Sequence, residues 1–201
     1  KHKLDRFVNK QDRKRQRVKD DHFFLKNLFF RVHNKFLKHY KNYVSFDDIF
    51  AKGSYDCVTG TALYALILEE LGFDLHIYES NFHVFLLVDL PEGDVLIEST
   101  DFYTGYVEDE NQIASRVAHY QLPDNATDKN YYTYQSNNNR FINARQLAGL
   151  LYFNLAVDQY NNQNFDSALA YLERAENLYA SKRMLELKGL IGKMTFASNS
   201  Y

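Results

Sequence analysis

The sequence predicts an α+β fold: a buried helix packed on an antiparallel sheet, followed by a C-terminal helical hairpin. Three observations carry this. Residues 56–71 form a helix-length run that is apolar over most of its girth. Three short runs rich in Val, Ile, Leu, Phe and Tyr follow it, with turn residues between them. Residues 141–194 then return to helical periodicity. The chain has 201 residues, 45% of them hydrophobic. That is enough to bury roughly two-thirds of the unfolded surface and too apolar for a disordered chain. A net charge of −2 excludes a globally basic nucleic-acid binder. No apolar run approaches the ~18 residues a bilayer span needs. The single cysteine, Cys57, excludes an internal disulfide. Two Pro and eight Gly argue against a loop-rich or collagenous chain.

Charge is unevenly placed. Residues 1–20 hold nine Lys/Arg against three Asp, and residues 89–128 hold ten acidic residues against one Arg. Head and middle can attract each other or a partner, although like-charge runs ordinarily form solvated faces. Residues 12–43 read as one long helix, because Leu25, Leu28, Phe29, Val32, Phe36 and Tyr40 form a stripe at helical period. His33 and His39 lie among surface charges and read as solvated. Ser45 with Asp48 resembles a capping box that starts a short helix, with Val44 as its staple. Residues 51–54 read as a loop. The 56–71 helix stops at Gly72. Strands are expected over Asp74–Glu79, His83–Leu90 and Val95–Thr100, with Pro91-Glu92-Gly93-Asp94 turning the last two into a hairpin. Residues 102–140 are polar and poorly periodic, and Ile113–Tyr120 is their best helical stretch. In 141–194 a ~34-residue tetratricopeptide spacing fits around Ala168. Tyr152, Leu155 and Ala156 take first-helix positions, and Leu172 and Ala175 second-helix positions. Gln159 and Ala180 depart from that pattern, and a further helix runs from Lys182 to Lys193. One repeat leaves its faces uncovered, so it should pack on the rest of the chain.

Cys57 sits where a loop hands over to the buried helix. A helix N-terminus carries partial positive charge and free N–H groups, which favour a thiolate nucleophile and can hold a developing oxyanion. Most free cysteines are nonetheless small buried hydrophobes. Two further residues tip the balance. His83 opens the apolar strand Val-Phe-Leu-Leu-Val, where it can be an edge residue or a general base. Glu98 interrupts Val95-Leu96-Ile97, and a carboxylate beside an apolar run needs a partner. With an even hairpin loop, strand alternation places 98 on the same sheet face as 83. An odd loop or a bulge would substitute Asp101, the reserve candidate. A carboxylate on one imidazole nitrogen fixes the tautomer, and the other nitrogen can then take a proton from a thiol.

The stretches Asp56-Cys57-Val58-Thr59-Gly60-Thr61-Ala62 through Gly72, Phe82-His83-Val84-Phe85, and Leu96-Ile97-Glu98-Ser99-Thr100 resemble the transglutaminase-like superfamily. The resemblance covers about residues 45–105. It implies a papain-type core with Cys57 as nucleophile, His83 as base and Glu98 as orienting acid. Glu stands here where Asp is commoner, and the residues after Cys57 and His83 are Val58 and Val84 rather than aromatic. A bacterial branch of the superfamily places tetratricopeptide-like helices after this core. The expected organisation is therefore 1–44, a basic segment with a long helix; 45–140, the transglutaminase-like core; and 141–201, the tetratricopeptide-like tail.

The implied activity is that of a cysteine protease, an amidase or a transglutaminase-type acyltransferase, acting on a peptide or protein through a thioester. The alternative is a catalytically silent interaction module whose helical tail docks a protein partner. No cofactor or metal is expected, since one Cys and scattered His show no ligand spacing, and Gly53, Gly60 and Gly72 are too isolated for a phosphate cradle. Neither nucleic acid nor a membrane span is expected. The chain opens on Lys1 rather than Met, which inclines the reading toward a trimmed exported or periplasmic chain over a cytoplasmic one.

Overall fold

A computed structural model of the chain describes residues 2–80, 83–121 and 140–198. Phe82, quoted above, and the 122–139 part of the polar segment lie outside the described residues.

The predicted 12–43 helix is two helices, α1 (His2–Arg15) and α2 (Asp21–Lys35). The break has a local cause. Asp20 takes an extended backbone, and its carboxylate accepts the Phe23 N–H at 2.9 Å, which starts a new helix. Of the expected stripe, Leu25, Leu28, Phe29, Val32 and Phe36 are each 1% exposed or less, but Tyr40 lies beyond the helix and is 55% exposed. His33 lies on the same side, four residues beyond Phe29, and is buried rather than solvated, at 2% exposure. β1 (His39–Tyr40) leaves the helix and pairs in parallel with β2 (Ser54–Tyr55), so residues predicted as loop run partly as strand. Between them lies α3 (Phe46–Ala51), where the Asp48 carboxylate accepts from the Ser45 N–H and hydroxyl.

α4 (Cys57–Glu70) is the all-round apolar helix. Gly72, with φ +74°, ends it, and the Arg15 guanidinium of α1 donates to the Leu71 carbonyl there. β3 (Leu75–Glu79), β4 (Val84–Val88) and β5 (Val95–Ile97) are the three predicted strands, each somewhat shorter than expected. Two short strands escaped prediction, β6 (Tyr106–Val107) and β7 (Arg140–Ile142). Together they form an antiparallel sheet of order β6-β5-β4-β3-β7.

The sheet is apolar on both faces, which explains why its strands read as continuous hydrophobic runs. Ile77, Val84, Leu86, Val88, Val95, Ile97 and Ile142 belong to the main core with α2 and α4. Tyr78, Phe85, Leu96 and Val107 form a second cluster. Ile113, Val117 and Tyr120 of α5 (Glu110–Gln121) cover that cluster, so the short helix predicted over 113–120 has a definite packing role.

The C-terminal part consists of α6 (Ala144–Asn161), α7 (Phe165–Leu178) and α8 (Lys182–Ser198). Residues 141 and 142, expected to be helical, are strand instead, because Asn143 caps α6: it accepts the Gln146 N–H, and the Gln146 side chain accepts the Asn143 N–H, both at 2.9 Å. Ala156, Ala168, Leu172 and Ala175 are fully buried and belong to the same core cluster as α2 and α4. Among the described residues, no helix is long and apolar enough to cross a membrane.

Candidate active site

Cys57 is the first residue of α4, placed there by Asp56. The Asp56 carboxylate accepts the Thr59 N–H and hydroxyl, each at 2.8 Å, while the Thr59 hydroxyl lies 2.8 Å from the Asp56 N–H. Asn154 of α6 donates to the other Asp56 oxygen at 3.2 Å. Cys57 is partly exposed and packs against the edge of the main core. The N–H groups of Cys57 and Val58, in the first turn of α4, have no acceptor within their own helix.

Gly60 brings this helix end against the sheet. A Cβ at that position would stand 2.6 Å from Ser99 Oγ and 3.2 Å from the Tyr55 ring. Thr61 adds a tie, its hydroxyl donating to the Val84 carbonyl at 3.0 Å. Helix start and strand start are thereby held together, and His83 is the residue just before that strand.

The His83 carbonyl accepts from the Ser80 N–H at 2.8 Å and from its hydroxyl at 3.1 Å, which clamps the turn. The ring lies over Tyr120 of α5, with centroids 4.8 Å apart. The register Leu86↔Ile97 and Leu87↔Leu96 leaves an even loop, so 83 and 98 fall on one face. His83 Nε2 is 2.9 Å from Glu98 Oε1. The oxygen lies off the line of the ring N–H, so charge attraction rather than a straight hydrogen bond carries this contact. Thr100 fixes the carboxylate, its N–H and hydroxyl each donating to Oε1 at 2.8 Å.

Burial opposes charge on His83. The hydrogen bond with Cys57, the Glu98 contact and the negative charge of both partners outweigh it, and the pKa is pushed up to about 10. Burial likewise opposes charge on Glu98, but His83 and the Thr100 donors hold it below the ordinary carboxylate value. Cys57, His83 and Glu98 are thus brought to one place.

Asp101 is not paired with His83. Its carboxylate accepts the Tyr103 and Thr104 N–H groups at 3.0 and 2.9 Å and faces Arg116 at 3.8 Å, closing the turn after Glu98.

Four nearby residues were not legible as site residues. Tyr40 stands beside Tyr55, with ring centroids 5.9 Å apart; burial, then the charges of Cys57, Asp56 and Glu98, push its phenol upward. His33 braces the acid-bearing segment, its Nε2 lying 2.9 Å from the Ser99 carbonyl. That carbonyl only accepts, so Nε2 donates to it, while Nδ1 lies 2.7 Å from the Tyr64 hydroxyl, which donates to the Phe29 carbonyl at 2.8 Å. The i+4 step from Phe29 was the signal for His33. Asn154 and Arg183 come from the C-terminal helices, and nothing in their local sequence marks them.

Among the described residues, no group of three or more His, Cys, Asp or Glu could hold a metal ion. No family model matches the chain, and neither a curated relative nor a solved structure shows significant similarity to it.

Proposed function

We propose that the chain is a transglutaminase-like cysteine hydrolase acting on a peptide or carboxamide. One arrangement supports the reading: Cys57 acts on His83, raising its pKa, and His83 Nε2 is 2.9 Å from the buried Glu98. In this reading the Cys57 thiolate attacks the carbonyl carbon, a C–S bond forms, and the carbonyl pair moves to oxygen, met by the Cys57 N–H. Collapse breaks the C–N bond, and the leaving nitrogen takes the His83 proton. Water then attacks the thioester and gives a proton to His83; the acid leaves and the thiolate returns. An amine in place of water would make the same site an acyltransferase.

The reading carries a finer form of the fold as well. The cysteine-bearing helix against an antiparallel sheet is taken as papain-type, and α6–α7 as a single tetratricopeptide-like pair. Burial of Ala156, Ala168 and Ala175, and Tyr152 stacking on Tyr171 at 6.4 Å, support the second assignment.

The test is alkylation by iodoacetamide at about pH 6, below the ordinary thiol range. The native chain is expected to be labelled at Cys57, and His83→Ala to slow labelling at least tenfold, order of magnitude, by removing the partner that stabilises the thiolate. Labelling only after denaturation would sink the enzyme reading and leave a silent interaction module.

A further inference from the structure

We propose that the cavity between α1 and α2 is a binding site for a phosphate monoester with an apolar body. The inference does not rest on the cysteine chemistry proposed above.

The cavity holds about 230 Å³. That is below the roughly 300–1,000 Å³ of ordinary ligand pockets, so it suits a small molecule or one end of a larger one. Its position follows from the break between the helices. Asp20 starts α2, and α2 then presents Phe23, Asn27 and Arg31 to the cavity at four-residue steps, which is one helical face. Lys14 borders it from the end of α1, and Arg17 and Val18 from the connecting residues. Phe24 is 1% exposed and Phe23 is 59% exposed, so the aromatic wall runs from the core out to solvent.

Among the described residues, three cations and no acid line this space. The acids of the same stretch are engaged elsewhere. The Asp12 carboxylate accepts from the Gln16 amide at 3.1 Å, Asp20 caps α2, and Asp21 faces Arg15 at 3.5 Å. Arg31 donates to Gln11 at 3.2 Å, a neutral partner. Gln11 is 2% exposed, so it fixes the guanidinium while occupying one of its five N–H donors. Burial, then the charges of Arg31 and Lys10, lower the Lys14 pKa, as expected where like charges crowd one another. An anion in the cavity reverses that repulsion. A phosphate monoester brings about two negative charges at pH 7 and three acceptor oxygens. It answers two of the three cations where a carboxylate answers one, and guanidinium forks match its oxygens. The aromatic wall gives its apolar group a surface to bury.

The experiment is calorimetric titration of the full chain with phenyl phosphate, phenylacetate and inorganic phosphate, with thermal unfolding checking each variant. Phenyl phosphate is expected to bind saturably. Phenylacetate lacks a charge and inorganic phosphate lacks the ring, so each is expected to bind at least about tenfold more weakly. R31M and K14M are each expected to weaken phenyl phosphate roughly tenfold. F23A is expected to weaken phenyl phosphate severalfold and to leave inorganic phosphate unmoved. Absence of saturable phenyl phosphate binding, or binding that R31M and K14M leave unchanged, overturns the inference. Equal affinity for phenylacetate or for inorganic phosphate overturns it too. Should R31M or K14M fail to fold, the exposed Arg17 decides: weaker binding by R17M supports the site, and unchanged binding overturns it. Vesicles of phosphatidylcholine with added phosphatidate separate two sources of the ester. Capture that phenyl phosphate displaces assigns a lipid headgroup, and phenyl phosphate binding without such capture assigns a free phosphate ester.

Discussion

Replacing Glu98 by Gln removes one charge and little volume, and the structure sets the size of the response. His83 rises from 6.5 to about 10, against a burial penalty that acts the other way. That rise is worth about 5 kcal/mol at 1.36 kcal/mol per pH unit, shared between Cys57 and Glu98. An opposite charge at close range ordinarily accounts for about 1–3 pH units. Glu98→Gln should therefore lower the His83 titration by about one to two units, leaving the Cys57 contribution in place. Since Cys57 and His83 titrate as a pair, the observable is the ring resonance of His83 followed by NMR from pH 5 to 11 in wild type, Glu98→Gln and Cys57→Ala. A His83 ring that titrates near 6.5 in the wild type, or one indifferent to Glu98→Gln, refutes the reasoning. The same shift fixes a stability trend. The folded-state pKa lies above the unfolded one, so the contribution is fully present below about pH 6.5 and is lost as pH rises through about 10.

Two other substitutions probe the frame of the site. Gly60→Ala would put a methyl 2.6 Å from Ser99 Oγ and 2.9 Å from its Cβ, so the helix start must retreat from the sheet. A loss of about 1–3 kcal/mol in urea unfolding is expected, with slower Cys57 alkylation; a stabilised protein would contradict the close approach. His33→Leu removes the donor to the Ser99 carbonyl and the partner of Tyr64, for an expected cost of about 1–3 kcal/mol. Burial lowers the pKa of His33, so the folded state binds its proton less well than the unfolded state does. Its share of stability therefore falls as pH drops below about 6.5, and His33→Leu should flatten the unfolding midpoint over pH 5–7. An unchanged slope would count against the buried neutral assignment.

Legibility followed the range of the interactions. α4 and the three predicted strands could be read because each lies in a run with its own pattern: apolar residues all round, or strand formers between turn residues. The register of Glu98 with His83 was readable up to a parity, since only the loop length was missing. The split of the first long helix was not read, because the stripe begins only at Leu25, beyond the break, and the Asp20 cap is a single side chain. β6 and β7 were missed because two or three residues carry no usable period and exist as strands only by pairing with β5 and β3.

Local chemistry along the chain was enough to single out the thiol at a helix start, the imidazole at a strand start and the acid beyond its neighbour. These depend on capping, alternation and composition, all of which act within a few residues. What needed the folded chain was everything contributed from far away. His33 lies 66 positions from the carbonyl it holds, and Asn154 lies 98 from the cap it binds. Arg183 meets Glu79 of β3 only because α8 packs back on the rest of the chain. Such contacts leave no periodic trace, because their partners meet only when the core has closed and set the distance between them.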